Sequence, residues 1–149
     1  MFHKILLASD GSPSALVAAD AAAALTKIFQ ADLLLLHVYV PMTQLFPAYA
    51  LAGMDLDASV IEKAQEAVIK CTGSVLDRAN VHYRVCKEIG SPAAQILRVA
   101  AEESCDLVVL GSRGLGLVPS LLLGSVSNDV THRAHCSVLI IPFSSSARA

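Results

Sequence analysis

The chain has 149 residues and a formal net charge of −2, and 54% of its residues are hydrophobic while only 16% are charged. The apolar excess excludes a disordered chain, and the near-zero charge with 5% aromatic residues argues against nucleic acid as a partner. The longest apolar stretch, Ala15 to Leu25, is interrupted by Asp20 and is far shorter than the roughly 20 residues of a membrane span. We therefore expect one domain over residues 1–143 with a frayed tail at 144–149, its excess apolar surface buried in a covered sheet or an oligomer.

The N-terminal half of the chain predicts two strands and two helices. Ser12-Pro13 marks the start of the first helix, because serine caps helices and proline suits the first position. The capping box Ser59-x-x-Glu62 marks the start of the second helix. His37 lies inside an apolar strand and is interpreted as a buried core histidine. The predicted elements are a strand Ile5–Ala8, a helix Ser14–Phe29, a strand Leu33–Val40, an aperiodic linker Met42–Asp57 and a helix from Ser59 to about Arg78.

The C-terminal half continues the alternation of strands and helices. Val81, Tyr83 and Val85 alternate with less apolar residues, which indicates a strand at a sheet edge with one solvated face. The remaining elements are a helix Ala93–Glu103, a strand Leu107–Leu110, a glycine-bearing loop Gly111–Gly124, a helix from Ser125 to about Arg133 and a strand Ser137–Phe143. Helical crossovers between successive strands predict an α/β fold with an open, doubly wound parallel sheet.

The cysteines and histidines predict no metal or disulfide framework. The four cysteines form no C-x-x-C pair, so we interpret them as buried thiols of a protein in the reducing cytoplasm. His132, His135 and Cys136 lack a second pair of ligands in the sequence, so we assign no zinc site to them.

The loop after the fourth strand is the strongest candidate for a ligand site, since ligands bind open α/β sheets at the carboxyl ends of strands. It contains Gly-x2-Gly-x9-Gly-Ser, in which glycines let the backbone approach a ligand or adopt positive φ. The helix that follows offers free N–H groups to an anion, and Ser125 and Ser127 add hydroxyl donors. The loop does not match a Walker loop, because Leu117 occupies the position that requires lysine. It does not match a dinucleotide fingerprint either, because Pro119 occupies the position of the third glycine.

These stretches together resemble the universal stress protein family over almost the whole chain. The most specific are residues 106–114 (DLVVLGSRG) and 124–127 (GSVS), supported by residues 4–12 and 90–93. The resemblance implies a five-stranded parallel sheet of order 3-2-1-4-5 with helices on both faces. It also implies a site for ATP and a homodimer formed through the last strand. Since the loop has no Walker lysine, we expect backbone N–H groups, Arg113 and Mg²⁺ to balance the phosphate charge.

The resemblance also implies a role for each residue of that site. Ala8 and the backbone of Val38 match positions that contact adenine, and Asp10 matches the acidic residue near the ribose. The residues that match the phosphate and ribose motif are Gly111, Arg113, Gly114, Gly124, Ser125, Val126 and Ser127. The stretch 118–120 and the linker 42–57 depart from the family pattern.

The last strand supports the dimer independently, because an unprotected apolar edge invites pairing with another chain. Its residues Val138, Leu139, Ile140 and Ile141 are apolar on both faces. The leading hypothesis is a dimeric module of the stress response that binds ATP and changes its state or partners with occupancy. The alternatives are a slow ATPase, a nucleotide-independent chaperone-like dimer, or a module for another adenine nucleotide such as a cyclic one.

Overall fold

The computed structural model describes residues 1–53, 57–114 and 123–142. The strands are β1 (Lys4–Ala8), β2 (Asp32–Tyr39), β3 (Arg84–Ile89), β4 (Leu107–Gly111) and β5 (Ser137–Ile141). They form one parallel sheet of order β3-β2-β1-β4-β5. This confirms the predicted doubly wound sheet, in which the strand order reverses between β1 and β4.

Helices cover both faces of the sheet. They are α1 (Pro13–Phe29), α2 (Met42–Leu45), α3 (Pro47–Leu51), α4 (Ala58–Arg78), α5 (Pro92–Glu102) and α6 (Ser125–Arg133). Ser12 caps α1 as predicted, because its hydroxyl oxygen accepts a hydrogen bond from the amide of Ala15 at 3.3 Å. No helix in the described ranges is long and apolar enough to cross a membrane.

The core consists of two apolar layers, one on each face of the sheet. Alternate residues of β1 point to opposite layers, so Ile5 packs with α1 and α4 while Leu6 packs with α5 and α6. Both side chains are fully buried. Because β1 and β2 are covered on both faces, their continuous apolar runs account for much of the apolar excess in the composition.

The prediction that all four cysteines are buried was wrong, because only Cys105 is buried and Cys71 is exposed.

Three of the predicted local features were also wrong. The linker contains the short helices α2 and α3. Asp57, not Ser59, caps α4, since its carboxylate accepts a hydrogen bond from the amide of Ser59 at 2.8 Å. The third strand begins at Arg84 because Val81 instead packs under α4, where its amide donates to the carbonyl of Leu76 at 3.1 Å.

The boundary of the last strand also differs from the prediction. β5 ends at Ile141 rather than at Phe143, since Pro142 has no N–H group with which to continue the ladder. Phe143, the tail 144–149 and the stretch 118–120 lie outside the described residues, as do residues 54–56 of the linker. β3 and β5 are the two edges of the sheet, as expected.

Candidate functional site

A cleft of about 630 Å³ opens at the carboxyl ends of β1, β2 and β4. Its volume lies within the range of about 300–1,000 Å³ that is typical of small-molecule sites. The cleft forms at the reversal of strand order, where open α/β sheets bind their ligands. All ten residues predicted for the ligand site line it: Ala8, Asp10, Val38, Gly111, Arg113, Gly114, Gly124, Ser125, Val126 and Ser127.

Asp10 is positioned by the turn between β1 and α1. Its Oδ1 accepts a hydrogen bond from the amide of Ser12 at 2.9 Å, which is an Asx turn. Gly11 between them has φ +75°, a value that glycine adopts without strain. The other oxygen, Oδ2, lies 2.7 Å from the place where a Cβ on Gly114 would be. The turn after β1 and the loop after β4 therefore meet at this carboxylate.

The three motif glycines are not needed for a positive φ, so one of the two roles predicted for them was wrong. None of Gly111, Gly114 and Gly124 has a positive φ. A Cβ on Gly111 would run into the Oγ of Ser14 and lie 2.8 Å from its carbonyl carbon. Gly111 therefore allows α1 to pack against the end of β4, whereas Gly114 makes room for the Asp10 carboxylate.

The N-terminus of α6 forms the far wall of the cleft. Gly124 is its N-cap, and no side chain in the described part of the chain caps its first amides. Ser125 is exposed and lines the cleft. Ser127 differs from the prediction, because it is buried and its hydroxyl faces the carbonyls of Ser112 and Gly124 at 2.9 and 3.0 Å. Donors for an anion at this point are therefore backbone amides and the Ser125 hydroxyl.

Arg113 is the only lysine or arginine among the described residues that line the cleft. It is half-buried, and its guanidinium makes no hydrogen bond or ion pair within the described ranges. Its carbonyl lies 3.5 Å from the Ser12 hydroxyl, which ties the loop to the first turn of α1. A guanidinium in this setting can make charge-assisted hydrogen bonds to a phosphate or carboxylate.

The walls at the β2 end of the cleft are apolar, and the sequence did not predict them. They comprise Leu45 from α2, Ala64 and Val68 from α4, and Pro92 and Ile96 from α5. The spacing of four residues from Ala64 to Val68 places both on one face of α4, which was the available signal. Such walls favour an apolar part of a ligand.

His37 has one ring nitrogen bonded within the fold and also lines the cleft. It is buried, and its Nδ1 lies 2.8 Å from the carbonyl oxygen of Ser9, which confirms the predicted core histidine. The Ser9 hydroxyl lies 2.7 Å from that of Thr72 and accepts a hydrogen bond from the amide of Gly11 at 3.2 Å. These bonds fix the end of β1 beside His37, whose place in the cleft wall the sequence did not predict.

Comparison with known proteins identifies the family. A sequence profile of the Universal stress protein family matches residues 1–142. The chain belongs to this family. A universal stress protein of Thermus aquaticus is 37% identical over 142 residues, covering 95% of this chain and 99% of the relative. Universal stress protein YxiE of Bacillus subtilis is 34% identical over 149 residues, with the same two coverages, 95% and 99%.

Solved structures of universal stress proteins share the fold. UspA from Lactobacillus plantarum has a TM-score of 0.71 at 23% identity, covering 93% of this chain and 97% of its own. A universal stress protein in complex with cAMP has a TM-score of 0.73 at 24% identity, with coverages of 94% and 97%. One from Archaeoglobus fulgidus in complex with dAMP has a TM-score of 0.70 at 19% identity, with coverages of 93% and 97%.

Proposed function

We propose that this universal stress protein binds ATP in the cleft and acts as a dimeric, nucleotide-dependent module of the stress response in the cytoplasm. One observation carries the proposal: the glycine motif and the ends of β1 and β2, which are distant in sequence, line a single cleft. That cleft is polar at the β4 end and mostly apolar at the β2 end, which suits a nucleotide. The structures of family members with cAMP and dAMP, both adenine nucleotides, support the same ligand class.

The phosphates occupy the β4 end in this proposal. Arg113 supplies the positive charge, and the first amides of α6 supply hydrogen bonds and the positive end of the helix dipole. Asp10 is the only carboxylate among the described residues of the cleft. Mg²⁺ would therefore be held mainly by phosphate oxygens and water, which is its usual mode of binding with nucleotides.

The adenine occupies the β2 end between the apolar walls. Val38 lies there, as does Ala8 at the end of β1. The backbone of Val38 can bond the base edge, while Leu45, Val68 and Ile96 offer apolar contact to its faces. Asp10 lies between the two ends and accepts a bond from the ribose hydroxyls.

The dimer in this proposal forms through β5. The amide of Ser137 donates to Asp106 and the carbonyl of Ile141 accepts from Ser112, so the odd-numbered residues of β5 pair with β4. By the alternation of a parallel ladder, the peptide groups of Val138 and Ile140 point to the open edge. An apolar edge with outward-pointing donors and acceptors suits pairing with a second copy.

The experiment that tests the proposal is calorimetric titration of the purified protein with ATP, ADP, AMP, cAMP and GTP, with and without Mg²⁺. We expect the adenine nucleotides to bind at one site per chain, and GTP to bind more weakly. Mass spectrometry of ligand released from protein purified without added nucleotide identifies the natural occupant. A parallel phosphate-release assay separates binding from hydrolysis. The absence of binding at millimolar nucleotide would contradict the proposal.

A further inference from the structure

We propose that His37 selects the base, its Nε2 accepting a hydrogen bond from the exocyclic amino group of adenine. The inference rests on the proposed function, because it assigns a residue to the recognition of the ligand proposed above. It starts from a side chain that is 7% exposed, lines the cleft, and has only one of its two ring nitrogens bonded within the described part of the chain.

The bond to Ser9 determines which ring nitrogen of His37 can accept. In the neutral imidazole one nitrogen carries hydrogen and the other is an acceptor. Nδ1 lies 2.8 Å from the carbonyl oxygen of Ser9, which can only accept, so Nδ1 carries the hydrogen. Nε2 on the far side of the ring is then an acceptor with no donor of its own.

Nε2 reaches the space of the cleft. Within the described residues, the hydroxyl oxygen of Thr26 is the only fully enclosed side-chain nitrogen or oxygen without a partner. Nε2 of His37 also has no hydrogen-bond partner among the described residues, yet it is not one of these enclosed atoms. It must therefore be accessible, and the open space that His37 lines is the cleft. A ligand that fills this end without a donor would leave the acceptor buried and without a hydrogen bond, which weakens binding.

The base is the part of a nucleotide that meets this acceptor. The Arg113 guanidinium and the free amides of α6 lie at the β4 end, so we expect the phosphates to bind there and not beside β2. His37 precedes Val38 on β2, and Ala64, Val68 and Ile96 in the lining of the same cleft are apolar. The 6-amino group of adenine is a donor on an otherwise flat apolar ring, whereas the 6-oxo group of hypoxanthine or guanine would place a second acceptor against Nε2.

The ring of His37 is held in one orientation, which makes it suitable for recognising a single donor group of a ligand. The carbonyl of Ser9 holds Nδ1, and Ser9 is itself held through the hydroxyl of Thr72 and the amide of Gly11. The amide of Ser9 donates to the carbonyl of Leu36 at 3.0 Å, which closes the connection between β1 and β2. The acceptor is therefore positioned before the ligand arrives, and little ordering is needed on binding.

The test compares ATP with purine riboside triphosphate, which carries hydrogen in place of the 6-amino group. In mildly alkaline buffer, wild-type protein is expected to bind ATP about tenfold more tightly. His37→Phe keeps a ring of similar size without the acceptor, and should bind the two nucleotides equally. Thr72→Val is the matched control, because it disturbs the same buried network, lies outside the cleft lining and leaves both ring nitrogens in place. It should keep the preference.

Two results would overturn the inference while the proposed function stands. One is equal affinity of the wild-type protein for both nucleotides, and the other is a preference that survives in His37→Phe. If the wild-type protein binds neither nucleotide, the proposed function fails and the inference fails with it.

A second measurement uses the wild-type protein alone and does not depend on the folding of a variant. The two ring nitrogens of His37 are followed by nitrogen-15 NMR after assignment through the backbone. We expect the free protein to show hydrogen on Nδ1, and ATP to shift the Nε2 signal much more than purine riboside triphosphate does. Equal shifts with the two nucleotides would overturn the inference.

Discussion

The carboxylate of Asp10 occupies the space where a side chain on Gly114 would begin, since a Cβ there would lie 2.7 Å from Oδ2. The two residues follow β1 and β4, the neighbouring strands at which the strand order reverses. The loop after β4 can approach β1 this closely only because residue 114 has no side chain. In the proposed complex this contact places the acidic residue beside the phosphate loop.

Gly114→Ala should weaken nucleotide binding more than it weakens the fold. The added methyl group must displace Asp10 or the loop, and overpacking of this kind costs about 1–3 kcal/mol. Because both segments lie at the rim of the cleft, we expect that strain to appear as about a tenfold loss of ATP affinity. Titration calorimetry measures the affinity, and thermal unfolding provides the control. Unchanged affinity would show that the Asp10–Gly114 contact is not part of the site.

Gly111→Ala, in contrast to Gly114→Ala, should mainly weaken the fold. Its Cβ would collide with Ser14 in the first turn of α1, where both the side chain and the backbone stand in the way. We expect the free energy of unfolding to fall by about 1–3 kcal/mol in urea denaturation. Gly124→Ala is the matched control, because its Cβ would approach the rest of the described chain no more closely than 3.4 Å, which is ordinary van der Waals contact. Equal stability of the two variants would contradict this assignment.

Arg113→Gln should lower the affinity for ATP while leaving that for adenosine nearly unchanged. The guanidinium is the only lysine or arginine group of the described cleft lining, and hydrogen bonds to charged groups contribute about 1.5–3 kcal/mol. We therefore expect roughly a ten- to hundredfold loss, with a weaker salt dependence than in the wild type. Arg78→Gln, an exposed site far along α4, is the control. A similar loss for adenosine would place Arg113 at the base instead of the phosphates.

The sequence was sufficient for those parts of the molecule that local signals determine. The cap at Ser12, the apolar runs of β1 and β2 and the glycine motif each depend on a few adjacent residues. Together they predicted the element order, and the family resemblance supplied the strand order and the ten residues around the cleft. The helices α2 and α3 were not predicted because they span four and five residues with no recognisable period.

Other features depend on contacts between distant residues, which no local pattern reveals. Gly111 looks like any glycine of a ligand loop until Ser14 is placed against it. The hydroxyl of Ser127 looks like a free donor until the carbonyl of Ser112 is found 2.9 Å away. His37 was correctly expected in the core, yet only the fold shows that the cleft reaches its ring.

Cys105 should be slow to react with alkylating reagents and should affect stability at alkaline pH. Burial raises the pKa of its thiol from 9.0 to about 11. In mildly alkaline buffer little thiolate forms in the native state, so iodoacetamide should label the exposed Cys71 first. Since the unfolded chain releases this proton near pH 9 and the native state holds it to about pH 11, stability should fall across that window.

Two measurements check the behaviour of Cys105. Mass spectrometry of partly alkylated protein gives the order of labelling, and Cys71→Ser shows whether Cys105 remains slow when Cys71 is absent. Urea denaturation between pH 9 and pH 11 gives the loss of stability, which should be smaller in Cys105→Ala. Labelling of Cys105 as fast as that of Cys71 would contradict the prediction.

Ile140→Lys should convert the proposed dimer into a monomer. Ile140 lies on β5 with its peptide groups at the open edge, and two-fold pairing through that edge would bring the two lysines near one another. Light scattering after size exclusion should then give a mass near 15.6 kDa instead of twice that value. Val85→Lys is the matched control, since Val85 is 45% exposed on the opposite edge strand β3, and that variant should remain dimeric. A dimer of normal stability in Ile140→Lys would show that the chains associate through another surface, and loss of the dimer in Val85→Lys would point to β3.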